Sequence, residues 1–228
     1  MRQSIGQRAR AYLRERRPYT LAELVADGIV HGIGLLVALC AGSVLLTIAM
    51  METARDEFFA LFIYVASLVL LLSVSAAFNL WPGGRIKAWL ARFDQAAIFL
   101  FIAGTYTPLL AAASAAPIVD KLLIFVWAAA IVGIALKLLV PQHFGRLAII
   151  LYLAIGWSGV VAFQALAAAL PTTALWLLVA GGIAYSAGIV FHLWERLHFQ
   201  NVVWHIFVII GASLHMIAIF DAMVISRL

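Results

Sequence analysis

Residues Ser75–Pro108 read SAAFNLWPGGRIKAWLARFDQAAIFLFIAGTYTP, two apolar runs joined by a short loop that carries Arg85, Lys87 and Arg92. The upstream run, from 58 to 81, contains no charged residue, and the downstream run, from 93 to 113, contains only Asp94. Each is close to the roughly 20 residues with which an α-helix crosses hydrocarbon. A chain in hydrocarbon has to satisfy its own backbone hydrogen bonds, so this stretch reads as the turn of a helical hairpin across a membrane.

The rest of the chain repeats the pattern. Further runs at about 29–51, 121–140, 147–166, 172–193 and 202–225 bring the expected spans to seven. With 66% hydrophobic and 11% charged residues, the composition excludes an ordinary water-soluble globule. Continuous runs of this length also exclude a transmembrane barrel, whose strands alternate over short segments. The expected fold class is an all-α seven-transmembrane helix bundle. Residues 29–228 read as one domain, because no linker, low-complexity run or internal repeat divides them. Residues 1–28 read as a basic segment that precedes it.

Lysine and arginine orient this bundle. Six fall in the N-terminal segment (Arg2, Arg8, Arg10, Arg14, Arg16, Arg17), and Arg85, Lys87, Arg92, Lys137, Arg146 and Arg196 fall at loops on the same side, against Arg55, Lys121 and Arg227 on the other. The asymmetry places the N-terminus in the cytoplasm and the C-terminus outside. With Ile5, Tyr12 and Leu13 interspersed, the basic segment suits a helix lying on anionic lipid headgroups. Membrane lipids are thus the expected partners, and nucleic acid is not. The first apolar run is of full spanning length, which argues against a cleaved signal peptide. Cys40, the single cysteine, lies inside the first span and reads as a small packing residue.

Several polar groups fall at one membrane depth. Ser75 and Asn79 share a face of the second helix, Asn201 and His205 share a face of the seventh, and Asp94 opens the third. Polar groups at the edge of hydrocarbon are costly, so a functional site is the default reading. The plainer reading is that they hydrogen-bond helices two, three and seven together. His31, in HGIG, reads as a packed or hydrogen-bonded group, with Gly28, Gly32 and Gly34 permitting close helix approach and a ligand role as the alternative. His215 lies ten residues beyond His205, about 15 Å along a helix, too far to join it. His143, His192 and His198 fall near loops, and Trp81, Trp89, Trp194 and Trp204 suit an aromatic belt. Pro108 is expected to kink or end the third helix. A retinal pigment is excluded, since no lysine lies in the seventh helix.

Together SAAFN, RFDQAAIFLFIAGTYTP, HGIG at His31–Gly34, GWSGVV at Gly156–Val161 and WHIFVIIGASLHMIAIF at Trp204–Phe220 resemble the bacterial hemolysin III family. That family is related to the progestin and adipoQ receptors, which include the adiponectin receptors, and more remotely to the alkaline ceramidases. The resemblance implies seven helices in a bacterial inner membrane. It also implies a channel-like or cytolytic role, or one in lipid homeostasis or sensing.

It further implies a zinc site built from a Ser-x-x-x-His motif on helix two, an Asp on helix three and a His-x-x-x-His motif on helix seven. Those positions are Ser75, Asn79, Asp94, Asn201 and His205 in this chain. Two of the three family histidines are therefore asparagines, and an amide oxygen is a weak zinc ligand. The expectation is a degenerate metal site that keeps His205 and Asp94. A bound metal would suit hydrolysis of a lipid amide, with Asp94 handling the water and Ser75 supporting the intermediate. Without metal, Asp94 and His205 form a buried pair in a lipid-binding sensor or scaffold.

Overall fold

The computed structural model describes residues 19–113, 116–140 and 145–227, with side chains omitted at 145 and 146. Thr20 opens the first helix. Its hydroxyl accepts the Glu23 N–H while the Glu23 carboxylate accepts the Thr20 N–H, a reciprocal cap that satisfies two donors at the helix start. Helix α1 runs Leu21–Glu52, so it begins about two turns before the apolar run at 29. Residues 21–28, read from sequence as part of a basic interfacial segment, are helical. The arginines of that segment lie outside the described residues, as does His143.

Seven more helices follow: α2 (Arg55–Leu80), α3 (Arg85–Ala112), α4 (Pro117–Leu139), α5 (Gly145–Gly156), α6 (Phe163–Ala169), α7 (Thr172–Leu193) and α8 (Gln200–Met223). With the 3-10 turn Ser158–Ala162 between them, α5 and α6 make one crossing. The described residues thus contain seven segments long and apolar enough to span a membrane, and no strand. This is an integral membrane protein with the expected all-α bundle.

Neighbours in sequence pack side by side, α1 closes against α8, and α3 also meets α8 in the interior. Tyr64, Leu68, Phe99, Leu110, Ile219 and Met223 fill that interior. Small residues allow the approach, as expected where lipid is as apolar as leucine. A Cβ on Gly42 would lie 2.7 Å from Val65, and one on Gly133 would lie 2.6 Å from the Phe99 ring. Of the HGIG glycines, Gly34 packs against Ile209 whereas Gly32 faces open space. Cys40 is exposed on the outside of the bundle; it is not the internal packing residue that its position in the span suggested. Helix α3 continues through Pro108 to Ala112. The hydroxyls of Thr105 and Thr107 donate to the carbonyls of Phe101 and Ala103 beside it.

The fifth crossing is broken where sequence predicts a continuous helix. At Gly156–Gly159 the ladder stops, leaving backbone groups that hydrocarbon cannot satisfy. Tyr106 on α3 fills the break: its hydroxyl donates to the Gly156 carbonyl at 2.8 Å and accepts the Gly159 N–H at 2.7 Å. Substituting Tyr106→Phe leaves both groups unpaired, which costs roughly 2–4 kcal/mol. A fall in melting temperature of the purified protein, with helix content retained, checks this. The fifth crossing touches its neighbours sparsely compared with α7 and α8, and a cavity opens beside it.

Candidate functional site

Four helices bring the polar residues to the end of the bundle that carries the basic α2–α3 loop. There Gly84 adopts φ 121°, a left-handed conformation that favours glycine. Lys87 donates to the carbonyl of Trp81 at 2.9 Å, so part of the basic loop serves to cap the end of α2. Below the loop, Asp27 and His31 on α1, Ser75 and Asn79 on α2, and Asn201 and His205 on α8 each form a pair four residues apart on one helix face.

Asp27 is the centre of the cluster. Its Oδ1 accepts from His205 Nδ1 at 2.6 Å and its Oδ2 accepts from Asn201 Nδ2 at 3.1 Å. The Asn201 amide donates as well to Asn79 Oδ1 at 2.8 Å, and Asn79 Nδ2 donates to the Ser75 carbonyl at 2.9 Å. His31 Nδ1 lies 2.8 Å from the Asp27 carbonyl, and its Nε2 lies 3.2 Å from Ser75 Oγ. A carbonyl only accepts, so Nδ1 carries the His31 proton and Nε2 accepts from the Ser75 hydroxyl. The two imidazoles meet edge to face with centroids 4.2 Å apart. Asp27 is 3% exposed and His31 2%, so these bonds form away from water, where an unpaired polar group is expensive.

Ser75, Asn79, Asn201 and His205 come together as the sequence predicts, and His31 joins them. Asp94, half-buried on α3, lines the same cavity with the Ser75 hydroxyl in reach. The carboxylate hydrogen-bonded to His205 is nevertheless Asp27, not Asp94, which corrects the expected pairing. Asp27 escaped sequence reasoning because it precedes the apolar run. The signal was present in Thr20-x-x-Glu23, a capping pattern that starts the helix early enough to carry Asp27 into the bundle. His215 stacks on Tyr185 far from the cluster, as its spacing predicts. His192 sits against Trp204, and His198 is exposed.

A cavity of about 1480 Å³ runs from this cluster into the bundle. Its walls include Asp94, Lys137, Tyr152, Tyr106, Trp157 and His215. Lys137 donates to Gln95 Oε1 at 2.6 Å, and Tyr152 donates to the Gln95 carbonyl at 2.7 Å. A polar end and a long apolar remainder give the cavity the character of an amphiphile site.

The haemolysin-III related family model matches residues 20–216. The chain belongs to that family. It is 34% identical over 192 residues to hemolysin-3 of Bacillus cereus, covering 84% of this chain and 88% of that protein. It is 33% identical over 195 residues to a hemolysin-3 homolog of Bacillus subtilis (strain 168), covering 86% and 92%. A human protein, monocyte to macrophage differentiation factor, is 28% identical over 163 residues, covering 69% of this chain and 67% of that one.

The zinc arrangement that the family resemblance implies does not fit the residues present. At two of its histidine positions stand Asn79 and Asn201, whose side chains are hydrogen-bonded to one another. The Asn79 oxygen that would face a metal already accepts a hydrogen bond from the Asn201 amide. A different set lies close by: Asp27, His31 and His205 offer ligand atoms within 4.8 Å of one another.

Proposed function

We propose that this haemolysin-III related protein is a metal-free member that binds a membrane amphiphile in its cavity and senses or buffers it without hydrolysing it. The observation that carries this reading is the Asn79–Asn201 amide pair anchored on Asp27. It joins helices where the family resemblance places metal-binding imidazoles, and it lines the polar end of a cavity that is otherwise mostly apolar. Asp94 and Ser75 then serve as hydrogen-bonding groups for the polar head of the ligand rather than as catalysts. The charge asymmetry of the loops supports a cytoplasmic N-terminus, and the Bacillus relatives support a bacterial inner membrane.

Elemental analysis combined with extraction of co-purified lipid tests the proposal. Zinc well below one ion per chain, with an intact amphiphile recovered, is the expected result. Stoichiometric zinc, or recovery of cleaved amide products, overturns it. A second reading is favoured by one observation, the proximity of Asp27, His31 and His205. On that reading a metal is held by a set that uses α1 instead of α2, and stoichiometric metal disappears in His31→Ala. The lytic property named in the relatives has its own measurement: dye-loaded liposomes containing this protein are expected to leak no faster than protein-free liposomes.

A further inference from the structure

Two loops frame the cavity at the end where the hydrogen-bonded cluster lies, and each carries a cation. After Gly84 in the α2–α3 loop, Lys87 reaches back to the carbonyls of Trp81 at 2.9 Å and Asn79 at 3.4 Å. In the α7–α8 loop, Phe199 has φ 57°, a left-handed conformation that is costly for a bulky side chain and persists only where the surroundings enforce it. Two contacts do so. Glu23 Oε1 accepts the Phe199 N–H at 2.8 Å, and Gln200 Nε2 donates to the His192 carbonyl at 2.6 Å across the loop. The loop held in this way presents Arg196, whose side chain is exposed.

Lys87 and Arg196 both line the cavity. So do Tyr19, Trp194 and Phe199, which are themselves exposed, so the cavity is open at this rim. Neither cation forms an ion pair among the described residues. The carbonyls that Lys87 meets satisfy its protons but do not neutralise its charge. Nearby acids are committed to other groups: Glu23 accepts the Thr20 and Phe199 N–H groups, and Asp27 accepts from His205 and Asn201. Glu195 is engaged as well. The mouth of the cavity thus shows two uncompensated positive charges to an entering ligand, with a low-dielectric wall behind them.

We infer that this rim reads the charge of the ligand: the bound amphiphile carries an anionic phosphate, held at the mouth by Lys87 and Arg196, with its chain inside. This rests on the amphiphile reading above and adds the class of headgroup. The order of groups along the cavity selects a phosphate over a fatty carboxylate. A carboxylate sits directly on its chain, so with the chain in the apolar part its charge would fall among Asp27 and Asp94, where like charges repel. A monoacyl glycerophosphate has an uncharged glycerol between charge and chain. That spacer meets Asp94 and Ser75 while the phosphate stays at the cationic rim.

Oleoyl lysophosphatidate and oleoyl lysophosphatidylcholine are suitable probes, because they share chain, glycerol and phosphate and differ in the choline that neutralises the charge. Retention of radiolabelled lipid by the full chain in phosphatidylcholine nanodiscs is measured against empty nanodiscs. Lysophosphatidate is expected to bind roughly tenfold more tightly than lysophosphatidylcholine. Lys87→Gln and Arg196→Gln are each expected to lower that preference about threefold, and together to abolish it. Arg85→Gln, on the same basic loop but away from the cavity lining, is expected to leave it unchanged. Equal affinities in the unmodified protein overturn the proposal and leave the amphiphile reading standing. A preference that survives in the double variant, or that falls as far in Arg85→Gln, overturns it too, since the charge is then read elsewhere or by the surface at large. Oleate binding as tightly as lysophosphatidate overturns the choice of phosphate. Glycerol 3-phosphate displacing lysophosphatidate at equal concentration overturns the need for a chain. Binding of no lipid probe overturns the amphiphile reading together with this one.

Discussion

Changing Asn79 and Asn201 together to histidine converts the cluster into a metal site, and the double variant purifies with roughly one zinc ion per chain. The two side chains already meet, with Asn201 Nδ2 2.8 Å from Asn79 Oδ1, so imidazoles there share one vertex with His205. His205 is prepared for the role: its Nδ1 is held by Asp27 at 2.6 Å, which leaves Nε2 for a metal with a carboxylate behind it. Three imidazoles and an open position make a standard zinc environment, which one imidazole and two amides do not. The zinc should raise the melting temperature, and a chelator should reverse the gain, because a ligand that binds only the folded state stabilises it. Neither single variant is expected to do this, since each supplies only two imidazoles from these positions. If the double variant folds and gains no zinc, the positions assigned from the family resemblance are not those of the metal.

The second large effect centres on Asp27. Substituting Asp27→Ala strands the His205 Nδ1 proton and one Asn201 donor in a buried site, and breaking a buried charged network in this way costs about 3–5 kcal/mol. Asp27→Asn is milder: its oxygen still accepts from His205, but its amide then opposes the Asn201 amide, donor against donor. The expected order of melting temperatures is therefore unmodified, Asp27→Asn, Asp27→Ala. His205→Ala added to Asp27→Ala should cost much less than it does alone, because residues in one network are strongly non-additive. An unchanged melting temperature in Asp27→Ala would show that the cluster does not hold α1 to α8.

The sequence made the crossings legible because they are long, apolar and nearly free of charge, and the convergence of Ser75, Asn79, Asn201 and His205 followed from helix spacing and loop charge. The start of α1 was not legible by hydropathy. Glu23, Asp27 and Gly28 lower the apolar content of residues 21–28, so that turn resembles a water-facing approach, although its carboxylates are 3% exposed. Burial of those acids depends on partners far along the chain, which periodicity cannot report. The broken fifth crossing was hidden for a similar reason. Gly156, Ser158 and Gly159 are common in membrane helices, and what makes the break tolerable is the phenol of Tyr106 on another helix.

The tie between α1 and α8 has a consequence for biogenesis. Asp27 waits for a partner 178 residues downstream, and Glu23 accepts the Phe199 N–H across 176 residues. Chains emerge N-terminus first, so α1 must enter the bilayer and remain there with Asp27 lacking its His205 partner until the final helix has been synthesised. Closure of the ring is then a late event, and a nascent chain stalled before α8 exposes an acidic α1 face. A quality-control protease of the membrane could distinguish such an unfinished protein from a complete one.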